Sequence, residues 1–186
     1  MRVLICIILI AAAASSAVDP RAESVTRKLN IIENGKAKPG SVFVIAPVEL
    51  NAWLRVKAPE EVPEGFRQPR IELGNNSANG YALIDFLKIR HASGVETNWL
   101  LAKLIQGEKP VKVSARFQSA KGRATVYLER VELSGLAVSG TTLDFLIHTF
   151  FLPLYPNAKI NEPFQLEDRI DRIEVTPAGV HIYIKK

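Results

Sequence analysis

The sequence contains one cysteine, Cys6, and lacks the motifs of the common enzyme and metal-binding classes. No GxxxxGK[ST], GxGxxG or GxSxG pattern occurs, so nucleotide binding and the common serine hydrolase mechanism have no support. The histidines His91, His148 and His181 form no HxxxH, HxH or Cys/His set, so we expect no metal site. No long repeat or low-complexity tract is present. We therefore expect an ordinary hydrophobic core without disulfide, metal or cofactor.

The N-terminal segment has the features of a secretory signal peptide. Arg2 gives a short positive start, an apolar run extends from Val3 to Ala14, and small residues follow up to Ala17. The run is shorter than the about 18 to 20 apolar residues that cross a bilayer, and Cys6 lies too early for lipidation. We expect cleavage near Ala17 and a secreted or periplasmic protein that is soluble or peripheral to a membrane.

The remaining sequence has the composition of one globular domain, because 47% of all residues are apolar and 23% are charged. The net charge of +5 favours either an ordinary solvated surface or attraction to anionic lipid head groups. One hairpin is rich in basic residues, but nucleic-acid binding is disfavoured because only Phe117 offers an aromatic platform there. These basic residues are Lys109, Lys112, Arg116, Lys121 and Arg123.

Helical and strand patterns alternate in the first half of the chain. An amphipathic helix is predicted over residues 19–34, followed by a strand at Val42–Ile45. A second helix is predicted to begin at Pro47 and to end at Pro59. A short helix capped by Asn98 is predicted further on.

From Phe66 the hydrophobic period changes to two, which predicts antiparallel hairpins. The run from Tyr81 to Ile89 is apolar on both faces, so we expect both faces to be covered. Val111 to Phe117 alternates cleanly, and the chain ends on a hairpin whose last strand, Val180 to Ile184, is predicted to lie at a sheet edge.

The stretch 124–138 changes its inward register twice. Inward apolar residues alternate up to Leu128, resume at Val131, and shift again between Leu133 and Leu136. Each shift has the pattern of a β-bulge, and bulges bend a long strand. The sequence therefore predicts an α+β fold in which a strongly curved antiparallel sheet wraps apolar helices.

The segment 141–154, TTLDFLIHTFFLPL, predicts an unusually apolar helix capped by Thr141 or Thr142. At about 100° per residue most of its apolar side chains fall in one arc, whereas Phe145 and Leu152 fall on nearly the opposite side. This second stripe has three interpretations: it lies under another element, it lines a cavity for an apolar ligand, or it touches a membrane or partner.

The segment LEDRIDRIEV places carboxylates between arginines. Paired carboxylates can perform acid/base work, but alternating opposite charges more often form a solvated strand face. We therefore expect no enzyme, and an envelope hydrolase that uses these carboxylates stays an alternative. The carboxylates are Glu167, Asp168, Asp171 and Glu174.

Three phrases carry a family resemblance. A strand runs into a helix through SVFVIAPVELNAWL, with Glu49, Leu50, Asn51 and Leu54 as the ELNxxL core, and hairpins with long strands follow. The chain ends on a strand, a small-residue turn, an apolar helix and an I-x-V-x-x-x-G-V-x-I-x-I hairpin. Over roughly residues 41–185 the chain resembles small secreted bacterial members of the TULIP (tubular lipid-binding) superfamily, relatives of bactericidal/permeability-increasing proteins.

The resemblance implies a half-tube in which a curled sheet wraps a long helix, with an apolar seam that holds acyl chains and performs no chemical step. The segment Trp99 to Ile105 and the phrase FFLPLYP depart from this pattern. Residues 1–17 are then the signal peptide, 18–40 an N-terminal helix and linker, and 41–186 one TULIP-like α+β domain.

The predicted function is binding or shuttling of a lipid or other hydrophobic ligand, with peripheral membrane contact and no nucleic-acid partner. The alternatives are a cell-envelope protein-interaction module with a solid core and the envelope hydrolase. The expected ligand-lining residues are Leu50, Trp53, Leu54, Phe145, Phe150 and Phe151.

Overall fold

The computed structural model describes residues 19–61, 65–88, 106–152 and 159–186. The predicted signal peptide and the predicted helix at Asn98 to Ile105 lie outside these ranges. The described elements, in chain order, are α1 (Pro20–Glu33), β1 (Val42–Ile45), α2 (Pro47–Glu61), β2 (Phe66–Gly74), β3 (Ser77–Asp85), β4 (Glu108–Ala120), β5 (Arg123–Leu133), β6 (Leu136–Val138), α3 (Gly140–Leu146), a π-helical turn (Ile147–Phe151), β7 (Pro163–Gln165), β8 (Ile170–Thr176) and β9 (Gly179–Ile184).

The strands form two antiparallel sheets. The small sheet has the order β1-β9-β8, and the large sheet has the order β2-β3-β4-β5-β6, with β7 paired to the other end of β5. Two antiparallel sheets with few helices confirm the α+β class, whereas strong curvature and wrapping of the sheet stay a prediction.

Helix α1 begins and ends as its sequence predicts. Asp19 accepts a hydrogen bond from the Arg21 amide at 3.0 Å and Pro20 occupies the first helical position. Val25 and Ile32 are buried on the side that faces the small sheet, and the chain leaves the helix through Gly35 with φ +67°.

Helix α2 ends later than its sequence predicts. It begins at Pro47 as predicted, but it continues past Pro59 to Glu61. A proline removes its own N–H from the helical ladder yet holds φ near the helical value, so the backbone can continue for two more residues.

The hairpin β2-β3 is tighter than predicted. Its turn consists of Asn75 and Asn76 alone, so β3 occupies Ser77–Asp85 and not Tyr81 to Ile89. Asn76 has φ +50°, a conformation that asparagine tolerates, and the polar residues after it belong to the strand. The face of β3 that carries Tyr81 is half-exposed, so the prediction that both faces are covered is wrong among the described residues.

One of the two predicted register slips is a bulge and the other is a turn. Ser114 pairs with Arg130 and Ala115 pairs with Leu128, so Glu129 is the extra residue of a β-bulge. The second slip is a two-residue turn, because Ser134 and Gly135 have φ of +52° and +80° and β6 folds back on β5.

The C-terminal hairpin has the predicted inward pattern but a different position. Ile182 and Ile184 are buried, and Tyr183 lies on the opposite face. Strand β9 is the centre of the small sheet and not its edge, because β1 pairs with it antiparallel from Val42 to Ile45. The short run VFVI predicts a strand at Val42–Ile45, but it does not predict which strand pairs with it.

Buried apolar side chains form two separate clusters. The core cluster joins α1, the small sheet and the β4-β5 turn, and its buried members are Val25, Ile32, Ala37, Ile45, Ala124, Leu166, Ile170, Ile182 and Ile184. The Phe86 cluster lies near the other end of the large sheet, where Ile84, Leu87, Val111, Leu133, Phe145 and Leu146 pack against Phe86.

Arginine and tyrosine face each other across three hairpins. Arg70 pairs with Tyr81, Arg116 with Tyr127 and Arg172 with Tyr183, each directly opposite in the ladder and each 11 residues apart in sequence. The guanidinium carbon lies 4.2, 4.9 and 3.7 Å from the respective ring centroid. This recurrence is too short to register as a sequence repeat, and a cation–π contact between opposed residues favours the observed register.

We predict that the Arg116 and Tyr127 side chains are energetically coupled. Replacing them singly and together, as Arg116→Gln and Tyr127→Leu, should give a coupling free energy of about 0.5 to 1 kcal/mol in urea unfolding. The control pair is Arg116→Gln with Tyr183→Leu, which lie in different sheets and should be additive. Additivity of the Arg116 and Tyr127 pair would contradict the register role.

Candidate functional site

Glu49 of helix α2 is the centre of a polar junction with α1 and β1. Its carboxylate accepts hydrogen bonds from Lys28 Nζ at 2.8 Å, Ser24 Oγ at 2.7 Å and the Ala46 amide at 2.9 Å. Lys28 also donates to the Val44 carbonyl at 2.8 Å. The Ala46 bond is the reciprocal half of a capping box, so the same carboxylate starts α2 and fastens it to α1.

The environment of Glu49 shifts its ionisation. Burial of the carboxyl raises its pKa, but the hydrogen bonds from Lys28, Ala46 and Ser24 outweigh burial and lower the pKa of Glu49 from 4.5 to about 2. The side chain is only 19% exposed, so solvent screens the Lys28 pair less than it would on an open surface.

Two residues further along α2, Asn51 fastens the helix to the large sheet. Its side-chain oxygen accepts from the Ile71 amide at 2.9 Å, and its amide nitrogen donates to the Ile71 carbonyl at 2.9 Å. The asparagine thus pairs with β2 as a neighbouring strand would, on the open edge of the large sheet.

We predict that Glu49→Gln lowers the free energy of unfolding at pH 7 by about 3 kcal/mol, the free energy that corresponds to its pKa shift from 4.5 to about 2. The folded pKa is depressed, so this stabilisation is complete above about pH 4.5 and is lost as pH falls toward about 2. Urea unfolding at several pH values in that range should show that the free energy of unfolding falls less steeply with decreasing pH in the variant than in the wild-type protein. The exposed Glu33→Gln change is the control, and equal effects of both changes would contradict the assignment.

The inward face of the large sheet is apolar along its whole width. Residues that are directly opposite share a face, so the register defines three rows of neighbouring side chains. The rows are Leu73, Ala78, Ala115 and Leu128; then Ile71, Gly80, Val113, Val131 and Val138; then Ala82, Val111, Leu133 and Leu136. Of these residues only Val131 is buried, and the residues on the central strands β3 and β4 are half-exposed.

Strand β3 contributes the smallest side chains to this face. Ala78, Gly80 and Ala82 lie between the larger side chains of β2 and β4, so the face is lowest along β3. No heavy atom of the described residues would lie within 4 Å of a Cβ placed on Gly80, so the described part of the chain leaves the space above this glycine open. We call this part of the sheet, Ala78 to Ile84 on β3 with its β2 and β4 neighbours, the apolar trough.

The trough is long enough for one hydrocarbon chain. Ala78 to Ile84 spans roughly 20 Å at about 3.4 Å per residue. One leaflet of a bilayer contributes about half of the roughly 30 Å hydrocarbon core. Phe117 of the core cluster lies beyond one end, and Ile84 at the other end packs against Phe86.

The expected ligand-lining residues are not all in one place. Leu50 and Trp53 pack against the core cluster, whereas Phe145 packs against the Phe86 cluster. Leu54 is half-buried and Phe151 is 39% exposed. The side chain of Phe150 lies outside the described residues.

The residues of the trough were not among the predicted lining residues. The phrase GNNSANG was read as one polar turn, although its second half is strand β3. The available signal was the alternation of small residues at Ala78, Gly80 and Ala82 opposite the cleanly alternating strand β4.

The apolar helix also differs from its prediction. Ser139 is the N-cap and no side chain caps the helix, so the assignment to Thr141 or Thr142 is wrong. Phe145 was expected opposite the arc that holds Leu146, yet both pack against the Phe86 cluster. Consecutive helical residues are only about 100° apart, so one cluster can contact both. Phe145 therefore contacts another part of the protein, as the first of the three interpretations expects, while the ligand and partner interpretations stay predictions.

The carboxylates from Glu167 to Glu174 do not share a concave site. Glu167 and Asp168 are exposed, and Asp171 contacts Arg172 at 3.2 Å. The hydroxyl of Tyr183 donates to Glu174, and this bond, with that from Arg172, lowers the pKa of Glu174. A carboxylate with a lowered pKa is a poor general acid near neutral pH, so this geometry counts against the hydrolase alternative.

The described residues contain no group of three or more His, Cys, Asp or Glu side chains placed to hold a metal ion. His148 is exposed, and His181 Nε2 lies 3.4 Å from Thr176 Oγ1. His91 lies outside the described residues.

Comparison with known proteins finds no matching family model, no matching curated protein and no matching solved structure. Among the residues that the structure describes, no helix combines the length and the hydrophobicity of a bilayer span.

Proposed function

We propose that this protein binds a lipid or similar apolar ligand by holding one hydrocarbon chain in the apolar trough. The observation that carries the proposal is the space above Gly80, in the middle of an otherwise apolar face, that the described residues leave open. Half-exposed side chains such as Ile71, Leu73 and Val113 flank it. Apolar surface of this kind is costly to leave in water, at about 25 cal/mol per Å².

Binding is passive in this proposal. A hydrocarbon chain laid on the trough replaces water at both surfaces, and no bond is made or broken. The proposal extends the resemblance to tubular lipid-binding proteins, in which a curled sheet supplies the apolar wall. Strong curvature of the large sheet and secretion of the mature chain belong to the same proposal.

The test introduces a large side chain at Gly80, in the middle of the trough. Gly80 lies outside the left-handed region, and a Cβ there meets no described atom within 4 Å, so Gly80→Phe should fold and occupy the open space. We expect it to lower the affinity for a fluorescent fatty acid by at least about tenfold, equivalent to about 1.4 kcal/mol. Native mass spectrometry after lipid extraction should find less copurified lipid.

The matched control adds the same ring to the opposite face of the same sheet. Gln118 is exposed and alternates with inward Phe117, so Gln118→Phe should leave fatty-acid binding unchanged. Circular dichroism and urea unfolding establish that both variants are folded. Unchanged binding by a folded Gly80→Phe protein would overturn the trough as the ligand site.

The protein-interaction alternative rests on apolar side chains beyond the trough. Leu136 on β6 is 74% exposed and Phe151 is 39% exposed. Phe145, one of the two residues of the second apolar stripe, packs against the Phe86 cluster. Fatty-acid binding lost on Leu136→Glu but kept on Gly80→Phe would favour a site on the β6 side over the trough.

A further inference from the structure

Four segments that carry basic residues lie next to one another. The Gly40 amide donates to the Lys185 carbonyl at 2.9 Å, and the Lys185 amide donates to the Arg169 carbonyl at 2.8 Å. A Cβ on Gly35 would lie 3.3 Å from Arg169 Nε, and one on Gly122 would lie 3.5 Å from Lys185 Nζ. The segments 35–40, 121–123, 165–171 and 184–186 therefore form one surface, which we call the basic pole.

The basic pole holds most of the net charge of the chain. Its four segments contain seven basic residues against three carboxylates, a net charge of +4 in a chain whose net charge is +5. All seven basic residues are exposed. They are Lys36, Lys38, Lys121, Arg123, Arg169, Lys185 and Lys186.

The basic residues of the pole differ from those on the outer face of the large sheet in their ion pairing. On that face Arg70 pairs with Glu72, Arg116 with Glu129 and Arg130 with Glu132. None of the seven basic residues of the pole forms a salt bridge with a carboxylate among the described residues, although Lys185 Nζ donates to the Asp168 carbonyl at 2.6 Å. Their charge is therefore available to an external anion.

The surroundings of the pole favour a membrane surface. Pro39, Asp168, Arg169, Ile184, Lys185 and Lys186 line a shallow depression of about 200 Å³ there. Next to it, Val42 on β1 is 46% exposed and pairs with Tyr183. An exposed apolar side chain beside unpaired cations matches the interface of an anionic bilayer, which offers both phosphate charge and hydrocarbon.

We infer that the basic pole docks the protein on anionic lipid bilayers. The inference rests on the proposed function, because a carrier of a single hydrocarbon chain must reach the membrane that supplies it. The pole lies beside the core cluster, and the trough extends from Phe117 of that cluster toward the Phe86 cluster. Docking is electrostatic in this inference and is weakened by salt.

The test neutralises four pole residues whose side chains form no hydrogen bond or salt bridge with another described residue: Lys36→Gln, Lys38→Gln, Lys121→Asn and Lys186→Gln. Asparagine is chosen at position 121 because its φ is +51°. Each lysine near an anionic surface contributes roughly fivefold to binding, so the quadruple variant should bind phosphatidylcholine vesicles that contain phosphatidylglycerol about 600-fold more weakly.

The control removes four exposed basic residues from elsewhere in the described chain: Arg21→Gln, Arg55→Gln, Lys88→Gln and Lys159→Gln. It changes the net charge equally and should lower vesicle binding much less. Pure phosphatidylcholine vesicles should bind all proteins weakly. Equal losses in both quadruple variants, equal binding to both vesicle types, or binding to heparin without binding to anionic vesicles would each overturn the inference.

Docking and carriage are measured separately. The pole variant should keep fatty-acid binding in solution, whereas Gly80→Phe should keep vesicle binding. If both variants keep fatty-acid binding and only the pole variant loses vesicle binding, the trough is refuted as the ligand site and the pole is supported as the docking surface. Vesicle binding that is independent of the pole, with fatty-acid binding lost in Gly80→Phe, refutes the pole and leaves the trough intact.

Discussion

The arrangement of both sheets depends on one helical turn of α2. Glu49 ties this turn to α1 and β1 through Lys28, and Asn51 ties it to the backbone of Ile71 at the edge of the large sheet. Leu50 between them packs into the core cluster. Three consecutive residues thus make three different attachments, which gives a physical meaning to the ELN phrase that carried the family resemblance.

This attachment has a consequence for the large sheet. Helices and the small sheet cover it near Phe117, and α3 covers it near Phe86, so the described apolar contacts concentrate at two separate clusters. Between them β3 offers only Ala78, Gly80 and Ala82 to the inward face. A sheet that is held at both ends and lined with small residues in the middle leaves an apolar surface that no large side chain of the described residues fills.

Local patterns predicted this fold well wherever one strand or helix determines its own conformation. The bulge at Glu129 and helix α1 followed from periodicity and capping, because both depend on neighbours in sequence. The partner of β1 did not, since VFVI carries no information about which strand lies beside it. The Ser134–Gly135 turn was mistaken for a bulge because both shift the inward register, and only a positive φ at both residues distinguishes them.

The candidate site was harder to predict than the fold, because binding surfaces depend on what is missing. Large aromatic residues such as Trp53 and Phe145 attract attention in a sequence, yet they fill the protein's own core clusters. An open apolar surface instead needs small residues, and Gly80 in a strand looks like part of a turn until its pairing with Val113 is known. The same holds for charged residues. Arg116 is paired with Glu129 within the large sheet, whereas the basic residues of the pole, at turns and chain ends, carry most of the net charge. Surfaces that a chain leaves unsatisfied in itself are therefore the ones on which function is most reasonably sought.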